Sequence, residues 1–212
     1  MKKYIAEFIG TFFLVFTIGM AVIPPGAGDL APLAIGVALI TMVFSCGHLS
    51  GAHFNPAVTL GVWMRGKCQT CEVPGYLIAQ ISAAVVAALI TQFLKPGLGE
   101  FVAGLHAVET VPALIAEFLF TFALVWVILN VATAKGTSGN SFYGLAIGGT
   151  VMAGAFAVGS VSGGVFNPAV AVGISILGIS SWSAIWIYLV ANFAGGAAAA
   201  LVFNATNVGQ DD

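Results

Sequence analysis

Phe54-Asn55-Pro56-Ala57-Val58 returns in the second half of the chain as Phe166-Asn167-Pro168-Ala169-Val170. Tyr76-Leu77-Ile78-Ala79-Gln80 returns at the identical offset as Tyr188-Leu189-Val190-Ala191-Asn192. Ala6-Glu7-Phe8-Ile9-Gly10-Thr11-Phe12 returns at nearly that offset as Ala116-Glu117-Phe118-Leu119-Phe120-Thr121-Phe122. Three words in one order at nearly one spacing mark an internal duplication. Shared composition would produce similar words but would not hold their spacing. The fold must therefore be built from two like halves, about 1–105 and 106–212, forming one domain over 1–212.

The medium of that fold follows from charge. Only 7% of the 212 residues are charged and 59% are hydrophobic, where a soluble domain carries about 25% charged residues. Such a chain cannot cover a water-facing surface, and it is too apolar for disorder. Three Cys exclude a disulfide scaffold. A net charge of −2 with no basic stripe excludes a nucleic-acid partner. The partner that remains is a lipid bilayer.

Apolar runs near 4–24, 31–49, 74–94, 111–133, 142–161 and 182–204 have the length of membrane-crossing helices. Two shorter pieces, near 55–64 and 167–178, have half that length and read as re-entrant. Lys2 and Lys3 before an apolar run resemble a leader, but Glu7 interrupts the run and the segment has a later copy, so it is read as the first span. Each half then holds three spans and one half-length helix. Three is odd, so the second half enters the bilayer from the opposite face. Inverted repeats of this kind place a substrate path between the halves, near the midplane. Lys2, Lys3, Arg65, Lys67 and Lys135 fall on the side of the N-terminus and Lys95 opposite. The positive-inside bias then puts both termini in the cytoplasm, the acidic Asp211 and Asp212 contributing little.

Asn is a strong N-cap and Pro is favoured at the first helical position. Asn55-Pro56-Ala57 and Asn167-Pro168-Ala169 therefore start the two short helices. The Gly- and Ser-rich stretches before them, 47–53 and 159–164, are expected to be non-helical, which at membrane depth requires burial or a water-lined cavity. Inversion lets the two helix N-termini meet near the midplane, where their partial positive charges repel cations and hydronium. Each Asn is expected to cap its helix through Oδ1 and to aim its NH2 into the path. A water held there would accept two hydrogen bonds and point its own protons away, breaking a proton-hopping wire. Carboxylates inside spans are costly and need partners; Glu7 and Glu117 each lie at the end of a span from which a re-entrant loop enters.

At these residues the chain resembles the aquaporin/aquaglyceroporin (major intrinsic protein) family. The run from Gly47 to Thr59, GHLSGAHFNPAVT, closely resembles that family's first half-helix signature, and the likeness extends over essentially the whole chain. The resemblance implies an all-α, right-handed six-helix bundle with two re-entrant half-helices in an inverted 3+3 repeat. It implies one pore per subunit, a homotetramer, and an integral protein of the plasma (inner) membrane. It also implies that Glu7 and Glu117 accept hydrogen bonds from their loops. Pore-lining or supporting roles fall on His48, Gly51, Ala52, His53, Phe54, Gly163, Val165 and Phe166. The implied activity is passive flux of water and small uncharged solutes, such as polyols, urea or metalloid hydroxides, with no cofactor, no metal and no catalytic residue.

The family's outer filter maps onto Ile35, Ala155, Gly164 and Val170. Most members carry Arg where Val170 stands, and water-selective members carry an aromatic and a His where Ile35 and Ala155 stand. Ala171 lacks the Asp of glycerol facilitators, and Tyr188-Leu189 matches neither branch. The expected filter is wide, apolar and uncharged. Two other classes keep a sequence rationale. A coupled transporter shares the inverted repeat but needs a titratable group at midspan, and Glu7 and Glu117 are the only such groups in the spans. A thiol oxidoreductase would use Cys68 and Cys71, but no thioredoxin-like unit surrounds that C-x-x-C and zinc would need two further ligands. His106 reads as a solvated outer-loop residue, and Gly144 and Gly148 as sites of close helix packing.

Overall fold

The computed structural model describes residues 1–95, 99 and 108–207. His106, Asp211 and Asp212 lie outside the described residues. Among the described residues six helices are long and apolar enough to cross a membrane. They are α1 (Lys2–Val22), α2 (Ala31–Ser50), α4 (Val73–Leu94), α5 (Thr110–Thr133), α6 (Tyr143–Ser162) and α8 (Ile185–Thr206). Two nine-residue helices, α3 (Pro56–Met64) and α7 (Pro168–Ile176), complete the set. Among the described residues there is no strand. The result is an aquaporin-like helical bundle, as the sequence leads one to expect.

The halves are interleaved rather than juxtaposed. Within each half the first span packs on the other two, α1 on α2 and α4, α5 on α6 and α8. Between halves, α2 crosses α6, while α3 packs on α8 and α7 on α4. Each half-helix thus leans on the last span of the other half. The α2–α6 crossing needs the absence of side chains: a Cβ on Gly148 would lie 2.6 Å from the Gly36 carbonyl, and one on Gly36 would lie 3.1 Å from the Gly148 carbonyl. Gly36 and Gly148 are repeat equivalents, separated along the chain as Asn55 is from Asn167. The same exchange recurs at the half-helices, where a Cβ on Gly61 would meet Val125 Cγ1 at 2.5 Å and one on Gly173 would meet Val15 Cγ1 at 2.6 Å. Gly144 is likewise closed in, its Cβ position lying 2.9 Å from the Phe44 ring.

One expectation is corrected here. The stretches before each Asn-Pro-Ala are not wholly irregular: α2 continues through Gly47-His48-Leu49-Ser50, and α6 through Ser160-Val161-Ser162. Both helices stop at a left-handed glycine, Gly51 (φ +83°) and Gly163 (φ +92°). Glycine alone takes that conformation without steric cost. Gly and Ser content therefore overstated the irregular segment, because long apolar helices tolerate small residues where neighbours pack closely.

Candidate functional site

The connections Gly51–Asn55 and Gly163–Asn167 are built alike, atom by atom. Ser50 Oγ donates to Glu7 Oε1 at 2.7 Å and accepts from the Ala52 N–H at 3.0 Å. The His53 N–H donates to Glu7 Oε1 (2.9 Å) and the Phe54 N–H to Oε2 (2.7 Å). In the second half Ser162 Oγ donates to Glu117 Oε1 at 2.7 Å and accepts from the Gly164 N–H at 3.2 Å. The Val165 and Phe166 N–H groups donate to Oε1 (2.9 Å) and Oε2 (2.7 Å). Gln80 Nε2 and Asn192 Nδ2 complete each carboxylate at 2.8 and 2.9 Å. Four donors converge on each acid, which suits a group whose two oxygens accept and do not donate. Both acids are fully buried.

This anchoring offsets a strained backbone. Ala52, Phe54 and Phe166 sit at φ of +52°, +51° and +50°, at about 1–2 kcal/mol each for residues with a Cβ. The strain has a directional result. In a planar trans peptide the C=O points opposite the next N–H. With the N–H groups of 52–54 and 164–166 turned back toward Ser50, Glu7, Ser162 and Glu117, the carbonyls of Gly51, Ala52 and His53, and of Gly163, Gly164 and Val165, turn the other way. Ala52, His53, Gly163, Gly164 and Val165 line a narrow central cavity of about 70 Å³, room for a few waters. Tyr76 and Tyr188 donate to the Ser50 and Ser162 carbonyls at 2.6 and 3.0 Å, fixing the helix ends from which the loops spring.

Asn55 and Asn167 also line that cavity and are 3% and 4% exposed. Each caps its helix as expected, Asn55 Oδ1 accepting from the Ala57 N–H at 2.8 Å and Asn167 Oδ1 from the Ala169 N–H at 2.9 Å. The NH2 groups differ from expectation. Neither gives both protons to the path: Asn55 Nδ2 donates to the Phe166 carbonyl at 2.8 Å, and Asn167 Nδ2 to the Phe54 carbonyl at 2.9 Å. An amide carries two N–H donors, so one spans the repeat interface and one remains for the cavity. Pro56, Ala57, Pro168 and Ala169 are buried behind them.

The rest of the lining is apolar, with Leu14, Leu39, Leu124, Ile128 and Ile147 among its residues. Ile35 and Ala155 line both this cavity and a wide vestibule of about 1320 Å³, so they stand where the two join. Gly164 is against Ala155: a Cβ on it would lie 3.2 Å from the Ala155 Cα. Val170 lines the cavity on the half-helix side. The structure therefore gathers Ile35, Ala155, Gly164 and Val170 around one channel. At the other end a vestibule of about 630 Å³ is lined by Gly51, His48, Lys67 and Lys135. His48 is exposed there, whereas His53 is buried, with Nδ1 3.1 Å from Thr59 Oγ1. Phe54 and Phe166 are also among the residues lining the cavity, and their rings pack on Gly10 and Gly154 respectively.

Sequence reasoning missed Thr59, Tyr76, Gln80, Tyr188 and Asn192 as parts of the site. The signal was present, since all but Thr59 belong to the repeated word that opens on tyrosine. Cys68 and Cys71 play no part in the cavity lining. Burial pushes the Cys68 thiol up from its ordinary pKa, the reverse of an activated thiolate. Cys68→Ser with Cys71→Ser should leave solute flux in proteoliposomes as in the parent, since neither side chain lines the cavity.

Six spans around two opposed half-helices, joined tip to tip by Asn amides, define a membrane protein with a path between inverted repeats. The chain belongs to the major intrinsic protein family, whose pattern matches residues 1–203. Among its relatives, the glycerol uptake facilitator protein-like 6 of Lactiplantibacillus plantarum is 37% identical, with 100% of each chain covered. Aquaporin NIP1-4 of Oryza sativa subsp. japonica is 36% identical over 96% of this chain and 76% of its own. The crystal structure of the aquaglyceroporin from Plasmodium falciparum shares the fold, with TM-score 0.82 at 22% identity over 98% of this chain and 96% of that one.

Proposed function

We propose that this protein is a passive channel for water and small uncharged solutes of the glycerol type, and that it excludes protons and ions at the Asn55–Asn167 junction. The observation that carries the reading is the reciprocal pair of Asn–carbonyl bonds within the cavity lining. It brings two helix N-termini, each worth about half a positive charge, to one point on the path. The loop carbonyls turned away from Glu7 and Glu117 lead to that point from each side, and the rest of the lining is apolar. A solute with hydroxyls on one edge and CH groups on the other matches both parts of that lining. The relatives named for glycerol uptake and for aquaporin activity support the same class.

The filter reading belongs to the same proposal. Ile35, Ala155, Gly164 and Val170 present neither charge nor aromatic ring, so selection there is by size and polarity. Urea and metalloid hydroxides fit such an opening as well as polyols. The cluster of Lys67, Lys135 and His48 at one mouth, with Lys95 bound to the Ile23 carbonyl at the far end of α4, supports cytoplasmic termini in an inner membrane. Assembly as a homotetramer is part of the proposal. A coupled transporter is the outcome to watch for: saturation at modest concentration and a high activation energy would replace the channel reading.

The barrier is tested by Asn55→Asp and Asn167→Asp. Each adds a negative charge where two dipoles now oppose cations. Cation or proton leak into proteoliposomes should rise at least tenfold, the equivalent of about 1.4 kcal/mol off the barrier. Folded Asp variants as tight as the parent would place the barrier elsewhere.

A further inference from the structure

The last four carbonyls of a helix have no partner within it, and in both half-helices every one of them can be traced. In α3, Gly61 accepts from the Arg65 N–H, Val62 from Lys67 and Trp63 from Gly66. In α7, Gly173 accepts from Leu177, Ile174 from Ser180 and Ser175 from Gly178. Each helix is left with one terminal carbonyl, and in each it is taken by a side-chain amide of the opposite repeat. Asn204 Nδ2, on α8, donates to the Met64 carbonyl at 3.2 Å. Gln92 Nε2, on α4, donates to the Ile176 carbonyl at 2.9 Å. Gln92 and Asn204 are repeat equivalents, and so are Met64 and Ile176, each pair keeping the spacing of Asn55 and Asn167.

We propose that Gln92 and Asn204 are positioning residues that set the depth of the half-helices, each holding the blunt end of the other repeat's half-helix so that Asn55 and Asn167 stay joined. The need is mechanical. A nine-residue helix is about 13.5 Å long and too short to be stable alone. Its tip is tied across the interface by the reciprocal Asn–carbonyl pair. At Gly61 and Gly173 a valine methyl of the other repeat fills the space a Cβ would take, a contact that leaves the blunt end of the helix without a bond. A slide toward the mouth would part Asn55 from the Phe166 carbonyl. A bond at the blunt end, made to a full-length span, opposes that slide. It also places a donor at the negative end of each helix dipole. The proposal rests on the reading of the Asn55–Asn167 junction as the cation barrier.

The test uses the full chain. Hydrogen–deuterium exchange is followed on α3 and α7 in Gln92→Leu and Asn204→Leu, beside proton leak and water permeability in proteoliposomes. Gln92→Leu should speed exchange in Pro168–Ile176 about fivefold, the effect of one hydrogen bond, and leave Pro56–Met64 as in the parent. Asn204→Leu should do the reverse. Proton leak relative to water permeability should rise about threefold or more in each. Gln92→Lys and Asn204→Lys keep a donor and add a cation at a helix C-terminus, so both should restore parental exchange and leak. If a Leu variant does not fold, Gln92→Glu and Asn204→Asp, which keep size and lose the donor, carry the same comparison. Exchange that rises in both half-helices alike, or in neither, overturns the clamp, as does failure of Lys to restore it. Exchange that follows the crossed pattern while leak stays parental, in a protein where Asn55→Asp does raise leak, overturns the positioning role. Should Asn55→Asp itself raise no leak, the barrier reading fails, and the crossed exchange pattern alone decides the clamp.

Discussion

Glycerol flux through a variant carrying Ala155→His and Val170→Arg should fall at least tenfold, while water flux falls by less than about threefold. An added barrier of about 1.4 kcal/mol is a tenfold loss of rate, and the two side chains supply it by size. Ala155 stands where the narrow cavity opens into the vestibule, with Gly164 against it, and Val170 lines the cavity on the half-helix side. An imidazole and a guanidinium there would leave room for single-file water. They would also add fixed donors, and the Arg a positive charge, to an opening that now has neither. The measurement is stopped-flow light scattering on proteoliposomes, with glycerol, urea and arsenite in parallel against water. Each of the three solutes should pass in the parent and slow in the variant. A parent that passes water and none of them would mean that a different side chain closes the path, and the wide-filter reading would fall. Phe54 and Phe166 are poor candidates for that, because their rings are buried against Gly10 and Gly154.

Much of this architecture was legible because the repeat words carry it. Asn-Pro-Ala encodes a cap and a helix start in three residues, and the Asn55 and Asn167 caps form where those rules put them. The odd number of spans per half fixed the inversion without any contact being known. The Glu–loop contacts were suggested only by family likeness; Gln80 and Asn192 stood in a repeated word, but nothing in the sequence joined them with Ser50 and Ser162 into a shell around the acids. Each of those is a polar residue in an apolar span, and such residues tell of a partner without naming it. The left-handed turns at Ala52, Phe54 and Phe166 were not legible at all. Residues with a Cβ rarely adopt that conformation, and they do so here because a carboxylate behind the loop captures the N–H groups of Phe54 and Phe166 and of the residues beside them. Gln92 and Asn204 were missed for the opposite reason. They lie outside the repeated words, and an amide at the end of a span reads as an interfacial residue until its acceptor is seen.

Glu7→Gln should lower the melting temperature in detergent by roughly 5–10 °C, and Glu117→Gln should do the same. The substitution keeps the shape of the side chain, so the loss is one of hydrogen-bond sense. Two donors reach each oxygen of Glu7: Ser50 Oγ and the His53 N–H on one, the Phe54 N–H and Gln80 Nε2 on the other. A glutamine must put its NH2 toward one of those pairs. If it faces the first, Ser50 can turn to accept, but the His53 N–H meets another donor. If it faces the second, Gln80 can flip and offer its Oε1, which has no partner among the described residues, but the Phe54 N–H is left. Either way one buried backbone N–H loses its acceptor, and the remaining bonds are no longer to a charged group. Hydrogen bonds to charged groups are worth about 1.5–3 kcal/mol, and about 1 kcal/mol moves the melting point of a chain this size by some 2–4 °C. Glu7→Leu removes all four acceptor contacts at once. Its cost approaches the whole stability of a typical domain, about 5–15 kcal/mol, and it should fail to fold. Because the lost N–H belongs to the strained loop, the glutamine variant should also release Ala52 and Phe54 from their left-handed turns and swing their carbonyls off the path. Water permeability of the protein that does fold should therefore drop along with its stability. Unchanged melting in both glutamine variants would show that the loops are held by their packing on Gly10 and Gly154 and not by the two acids.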